Sequence, residues 1–259
     1  MRFFATGWSD GFDGPGRRLV LYAKGCNFRC RWCANPEGLS GEPEILFYPS
    51  RAALPAKACA HGAVAGTDGH ATLDRSMCAA CGDRSCVEVW KHPAFEWADL
   101  VLSAEDVLER ARRARPLFGR AGGVTFGGGE ATLLGEELQR TLGALAAEGI
   151  DAAVESNAST PVFRALIGSG VRLICDVKCV DGARHREWTG ADNDAVLENV
   201  MRAARDHERL RVRVPFVTGL NDDEEEMRRI AGYVSELCRA RRAARGWNSR
   251  CCRSITWEK

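Results

Sequence analysis

Three cysteines fall within eight residues, in the run Gly25-Cys26-Asn27-Phe28-Arg29-Cys30-Arg31-Trp32-Cys33. Thiolates separated by three and then two residues can hold three corners of a cubane iron–sulfur cluster, leaving one iron without a protein ligand. An open metal position marks a catalytic centre, and a closed one a structural centre. The alternative is a zinc knuckle completed by a distant residue. A second group, Cys59, Cys78, Cys81 and Cys86, follows at wider spacing, and four thiolates can close a metal centre by themselves. Beyond both groups stands Gly127-Gly128-Gly129-Glu130, where glycines let backbone approach a ligand and the carboxylate can receive an ammonium group.

These residues need elements to position them. Short β-branched or apolar runs recur at 19–23, 123–126, 152–155, 171–178 and 210–217, and an amphipathic helical stretch precedes each of the later four. Ser103 with Asp106 reads as a capping box opening a helix through Ala114. Asn221 reads as the cap of an acidic-started helix to about Leu237, with residues 222–226 at its dipole-positive end. Strand–helix alternation predicts a parallel sheet, open or rolled into a barrel, with ligands at the C-terminal strand ends. The first cysteine run follows the first strand directly and the glycine run follows the second. Residues 41–99 break the rhythm: rich in Ala, Gly, Cys and Pro, they read as an insertion folded around a metal centre rather than an apolar core.

Composition narrows the function classes. With 36 basic against 35 acidic side chains, no charge excess points to nucleic acid or a membrane surface. No apolar run approaches the roughly 20 residues of a membrane helix, and the N-terminus lacks a signal peptide's apolar core, so a cytoplasmic location is expected. In a reducing compartment, twelve cysteines imply metal or redox chemistry rather than disulfides.

The motifs together resemble the radical S-adenosylmethionine (SAM) enzymes, and within them the activating enzymes of glycyl radical enzymes, the pyruvate formate-lyase activase type. The resemblance is carried by Asp13-Gly14-Pro15-Gly16, by Lys24 through Glu37 with the three cysteines, by Gly123-Val124-Thr125 before the glycine run, by Asp176-Val177-Lys178, and by Arg213-Val214-Pro215 with Gly219-Leu220-Asn221-Asp222. It covers roughly residues 7 to 238 in family order. It implies a partial (βα) barrel of the radical SAM type with an inserted ferredoxin-like iron–sulfur segment and an incomplete C-terminal end. The domains expected are a core of 1–40 and 100–238, the insertion 41–99, and an atypical tail 239–259.

The implied activity is reductive cleavage of SAM and abstraction of a hydrogen from a glycine Cα of a partner glycyl radical enzyme, with flavodoxin or ferredoxin as electron donor. The resemblance makes Cys26, Cys30 and Cys33 ligands of a [4Fe-4S] cluster. It places Trp32 near the adenine, Gly128, Gly129 and Glu130 at the methionine moiety, and Ser156 and Asn157 among polar SAM contacts. Asp176 and Lys178 would hold SAM or a nearby monovalent cation, or else form a surface ion pair. Asp13 lies where the family receives its target glycine loop. The chain departs from the family at Gly127 and Ala131, where Ser and Pro are usual, and at Ala34. Other readings are a radical SAM enzyme acting on another peptide or a small molecule, and a non-catalytic iron–sulfur or zinc protein.

Two regions carry separate expectations. Members with a two-cluster ferredoxin-like insertion have eight cysteines there; this chain has Cys59, resembling the end of one run, and Cys78, Cys81 and Cys86, resembling the start of another. In two-cluster ferredoxins the fourth cysteine of each run ligates the other cluster, so these four would make one auxiliary [4Fe-4S] cluster. A structural zinc is the alternative. His61 and His92 read as surface residues, and Cys175, Cys179 and Cys238 as packed or incidental thiols. After Leu237 the pattern dissolves and no strand is read, where the resemblance implies a sixth. Back-translated and shifted in frame within codon degeneracy, the stretch from Trp247 yields Leu-Leu-Pro-Phe-His-His-Leu-Gly, which resembles the family's sixth-strand ending, so the tail reads as out-of-frame translation. The coding DNA tests this: a shifted frame that stays open through that motif is expected, and a stop codon within it overturns the idea.

Overall fold

The computed structural model describes residues 1–52, 59–66, 70–88, 93–245 and 255–258. Two compact units emerge, Met1–Gly41 with Val101 onward, and Glu42–Leu100.

In the first unit a hairpin opens the chain, β1 (Arg2–Asp10) pairing antiparallel with β2 (Arg17–Ala23). The elements that follow are α1 (Ala104–Ala114), β3 (Gly123–Gly128), α2 (Gly135–Ala147), β4 (Ala152–Ser156), α3 (Pro161–Leu166) and β5 (Arg172–Asp176). Then come α4 (Gly182–Thr189), α5 (Asp194–Asp206), β6 (Leu210–Pro215), α6 (Glu224–Arg245) and β7 (Ile255–Glu258). The strands lie in the order β7-β6-β5-β4-β3-β2-β1, with β2 through β7 parallel. The five strand runs read from sequence are β2 to β6. The capping box is present: Ser103 Oγ accepts from Asp106 N, and Asp106 Oδ2 accepts from Ser103 N.

The sheet is curled into a half-barrel. Flat, at about 4.8 Å per strand, β6 would lie about 19 Å from β2. Yet Arg211 Nη1 on β6 reaches the carbonyls of Gly11 and Phe12, in the β1–β2 loop, at 3.4 Å each. Near the N-terminal ends of the strands the interior is held by charge. Arg18, fully buried, donates to Thr125 Oγ1 at 2.6 Å, Val124 O at 2.7 Å and Asp151 Oδ1 at 2.9 Å. Asp151 also receives Arg172 and Arg209.

Three expectations need correction. The tail holds a strand: β7 pairs with β6 from Val212↔Ile255 to Pro215↔Glu258. The run Ile255-Thr256-Trp257 is β-branched and aromatic, and the outer side of β6 offers unpaired peptide groups to any extended segment. The last long helix does not dissolve at Leu237 but continues to Arg245. Its cap is Asp223, whose Oδ1 accepts from Glu226 N at 3.1 Å. Asn221 instead staples loops, donating to Pro215 O at 2.6 Å and Lys178 O at 3.3 Å.

The second unit has two small antiparallel pairs, Ile45–Phe47 with Phe95–Trp97 and Val64–Ala65 with Thr72–Leu73. Contrary to expectation it has an apolar core, formed by Ile45, Ala52, Val64, Ala71, Ala94 and Phe95, with Cys59 and Cys86 packed against it. Four of its six members are alanine or valine, too small to be seen as a periodic signal. His61 is exposed and pairs with Asp83 at 2.8 Å, whereas His92 lies outside the described residues.

Asp151 generates a stability prediction. Burial alone would raise its carboxyl, but Arg209, Arg172 and Arg18 outweigh that and hold it below the usual value. Its contribution is therefore complete above the unfolded value of about 4 and lost as pH falls through the lowered one. Asp151→Ala leaves Arg18 buried without a counter-charge and is expected to cost about 3–5 kcal/mol at pH 7. Urea midpoints at pH 7 and pH 3 check this, the gap between variant and parent narrowing in acid.

Candidate functional site

The C-terminal strand ends of the first unit enclose one pocket of about 240 Å³. A single water needs roughly 10–15 Å³, so the space suits a multi-atom group. Its lining brings together Cys26, Cys30 and Cys33 from the loop after β2, Gly128 and Gly129 at and just after the end of β3, Ser156 and Asn157 at and just after that of β4, and Asp176 and Lys178 at and just after that of β5. Trp32 joins them. So do two residues given no role from sequence, Glu155 and Arg213. Both stand at the C-terminal ends of their strands, Glu155 directly before Ser156 and Arg213 two residues before Pro215, and that position was the available signal.

The cysteine loop has no helix or strand of its own, and several of its peptide groups are taken up from outside. Gly25 N donates to Gly38 O at 2.9 Å and Cys26 N to Leu39 O at 3.2 Å. Arg29 N donates to Thr189 O at 2.7 Å and Arg31 N to Trp188 O at 3.0 Å, so the C-terminal turn of α4 carries the loop's middle. Side chains repeat the contact. Phe28 meets His185 edge-on with ring centroids 5.3 Å apart, and Trp32 meets Trp188 edge-on at 6.4 Å.

The glycines serve backbone proximity. Gly128 has φ +97, and a Cβ there would stand 2.6 Å from Ala23 N; one on Gly129 would stand 2.4 Å from Gly25 O. Gly129 N donates to Ala23 O and Glu130 N to Gly25 O, so the glycine run and the cysteine loop are seamed together. Glu130 is fully buried and is not among the residues lining the pocket. Its Oε1 accepts from Thr132 N and Oγ1 and from Ser156 Oγ at 2.7 Å, and its Oε2 from Asn157 N at 2.7 Å. Its carboxylate ties β3 to β4 beneath the pocket.

Charge is concentrated on one wall. Arg213 donates to Glu155 Oε1 at 2.9 Å and to Asp176 Oδ1 at 2.8 Å, and Lys178 donates to Asp176 Oδ2 at 3.2 Å. Burial would raise Asp176, but Lys178 and Arg213 outweigh it and the carboxyl stays low; burial would lower Lys178, but Asp176 and Cys30 hold it high. Burial pushes Glu155 up to about 8, with Asp13 and Asp176 adding and Arg213 opposing. Burial likewise pushes the Cys26 thiol up to about 11 and raises Cys30. Without a metal these thiols hold their protons, and binding one releases them.

The β4–α3 loop closes the side of the site. Asn157 Nδ2 donates to Asn27 Oδ1 at 2.9 Å, Asn27 Nδ2 to Ser159 Oγ at 2.8 Å, and Ser159 Oγ to Asn157 Oδ1 at 2.6 Å. Between them Ala158 has φ +63, a left-handed conformation that costs an L residue about 1–2 kcal/mol.

In the second unit, Cys59, Cys78, Cys81 and Cys86 line one small pocket with His61, Asp83 and Arg84. Burial raises the Cys86 thiol, and the neighbouring Cys59, Cys78 and Cys81 add to the rise. Cys175 and Cys179 are buried in the first unit, and Cys251 and Cys252 lie outside the described residues.

Glu130 yields a prediction. Glu130→Gln places an amide N–H against buried donors, and a loss of about 1–3 kcal/mol is expected. A denaturation midpoint equal to the parent's would refute the tie between strands.

Comparison with known proteins gives concordant results. Residues 20–231 match the model of the Radical SAM superfamily. The chain is 31% identical over 238 residues to the indoleacetate decarboxylase activating enzyme of Tractidigestivibacter scatoligenes, covering 86% of this chain and 76% of that protein. It is 30% identical over 233 residues to the 4-hydroxyphenylacetate decarboxylase activating enzyme of Clostridioides difficile (strain 630), covering 86% and 74%. It is 31% identical over 233 residues to the choline trimethylamine-lyase activating enzyme of Oleidesulfovibrio alaskensis, again covering 86% and 74%.

Proposed function

The chain belongs to the radical SAM superfamily, among the activating enzymes of glycyl radical enzymes, and from that premise we propose that it reductively cleaves SAM and uses the 5′-deoxyadenosyl radical to abstract a hydrogen from a glycine of a partner glycyl radical enzyme. One observation carries the reading: three thiols on one loop face the same pocket as the polar ends of β4 and β5.

The donor set fits a [4Fe-4S] cluster. Cys26, Cys30 and Cys33 offer three thiols, and the carboxylates on the same wall are engaged by Arg213 and Lys178. When bound, a cluster with one open iron supplies a single electron to SAM. The chain's own residues bind and orient. Gly128 and Gly129 bring backbone to the pocket wall, Ser156 and Asn157 offer polar groups, and Trp32 offers an aromatic face. Asp176 and Lys178 form a half-buried, mutually held pair near Cys30, suited to a zwitterionic amino acid moiety. Glu130 acts beneath them, holding Asn157 in place.

In the insertion, Cys59, Cys78, Cys81 and Cys86 would hold one auxiliary [4Fe-4S] cluster. Four thiolates leave no iron open for SAM, so its role is electron relay or docking. The donor of electrons would be a flavodoxin or ferredoxin. Among the described residues no helix is long and apolar enough to cross a membrane.

Anaerobic reconstitution tests the whole reading. About eight irons per chain are expected, as two cubane clusters require, with dithionite-dependent cleavage of SAM. Cys30→Ala should abolish cleavage and retain about four irons, whereas Cys78→Ala should lose about four irons and retain cleavage in dithionite. With a partner enzyme, an electron paramagnetic resonance doublet from a glycyl radical should appear. Bound zinc without cleavage would overturn the proposal.

A further inference from the structure

We infer that Asn199, on α5 and away from the pocket, is a positioning residue of the cysteine loop, acting through the left-handed turn at Ala158. The inference rests on Cys26, Cys30 and Cys33 being the cluster-holding loop.

Ala158 is the one non-glycine with positive φ among the described residues, and it is fully buried. Such a conformation persists only where surrounding contacts over-determine it. Two do so. Ala158 N donates to Ser156 Oγ at 2.9 Å, and Ala158 O accepts from Asn199 Nδ2 at 2.8 Å. With both peptide groups fixed, the flanking side chains of Asn157 and Ser159 turn the same way and form a closed ring with Asn27. Asn27 is the residue after Cys26. The line of support therefore runs from α5 to the Ala158 carbonyl, through the ring, to the first cysteine.

Asn199 itself has the character of a residue retained for one bond. It is 4% exposed, and its Oδ1 has no hydrogen-bond partner in the structure. Buried polar atoms are ordinarily satisfied, and a leucine of similar size would fill the space without an orphan acceptor. The amide is explained by what its other end holds. The opposite side of the loop is carried by α4, so Asn199 governs the Cys26 end and the α4 turn governs Arg29 and Arg31.

The test uses the full chain and three forms: parent, Asn199→Leu, and Asn199→Leu with Ala158→Gly. Glycine adopts φ +63 without strain, so the double variant should keep the turn without the clamp. The first readout needs no metal: the rate at which iodoacetamide labels Cys26 in the anaerobic, cluster-free protein, with buried Cys175 as the control for unfolding. Asn199→Leu should label Cys26 several-fold faster with Cys175 still protected, and the double variant should return to within about twofold of the parent. The second readout is the electron paramagnetic resonance line shape of the reduced cluster held by Cys26, Cys30 and Cys33, expected to broaden in the single variant and sharpen in the double. If Asn199→Leu exposes Cys175, Asn199→Ser, too short to reach Ala158 O, replaces it. Parent-like labelling in the single variant, or no recovery in the double, overturns the inference. A parent chain that binds no cluster refutes the proposed function and leaves the labelling comparison decisive for the clamp.

Discussion

An irregular loop has to present three thiols in a fixed arrangement, and the first unit is organised around that demand. Regular elements satisfy their own peptide groups; residues 24–35 do so only in part, as where Cys33 N donates to Cys30 O, and an unsatisfied buried amide costs about 1–3 kcal/mol. The loop therefore borrows acceptors. It takes them from Gly38 and Leu39 on one side and from Trp188 and Thr189 at the end of α4 on another. Asn27 is gripped by the β4–α3 turn from a third. Because hydrogen bonding of this kind is directional, three separate anchorages leave the loop little freedom to rotate.

Charge is used differently at the two ends of the half-barrel. Near the N-terminal strand ends, one carboxylate meets three guanidiniums, and Arg18 is sealed from water with donors directed at Thr125, Val124 and Asp151. Near the C-terminal ends, Arg213 bridges Glu155 and Asp176 while Lys178 shares Asp176, and all four line the pocket. The first network is closed and fixes the hairpin to the sheet. The second faces the cavity and is only partly buried, with Glu155 pushed up by burial and Asp176 held low by Lys178 and Arg213.

How far the sequence discloses this depends on whether a feature is local. The strands β2 to β6 follow from apolar runs, and the capping box at Ser103 from four residues of spacing. The cysteine spacing and the strand-end positions of Gly128, Ser156, Asn157, Asp176 and Lys178 likewise lead to one pocket. What escapes reading is non-local. β1 has mixed burial and no clean alternation, so its pairing with β2 is invisible before the hairpin is seen. The tie between Glu130 and Asn157 joins the ends of two different strands and so leaves no local pattern in the sequence. Asn221 has the residue type of a helix cap, yet tertiary carbonyls from two other loops outbid the helix. The α4 support for Arg29 and Arg31 is made of backbone carbonyls and leaves no residue-type signature at all.

The seam between the glycine run and the cysteine loop has a mechanical consequence. With Gly129 in backbone contact with both Gly25 and Gly38, and two hydrogen bonds stitched across it, there is no layer of side chains to act as a cushion. Rotamer changes on the picosecond to nanosecond scale relax ordinary packed surfaces, but a seam of bare peptide has none to use. Displacing the end of β3 must therefore carry the Gly25 end of the cysteine loop with it.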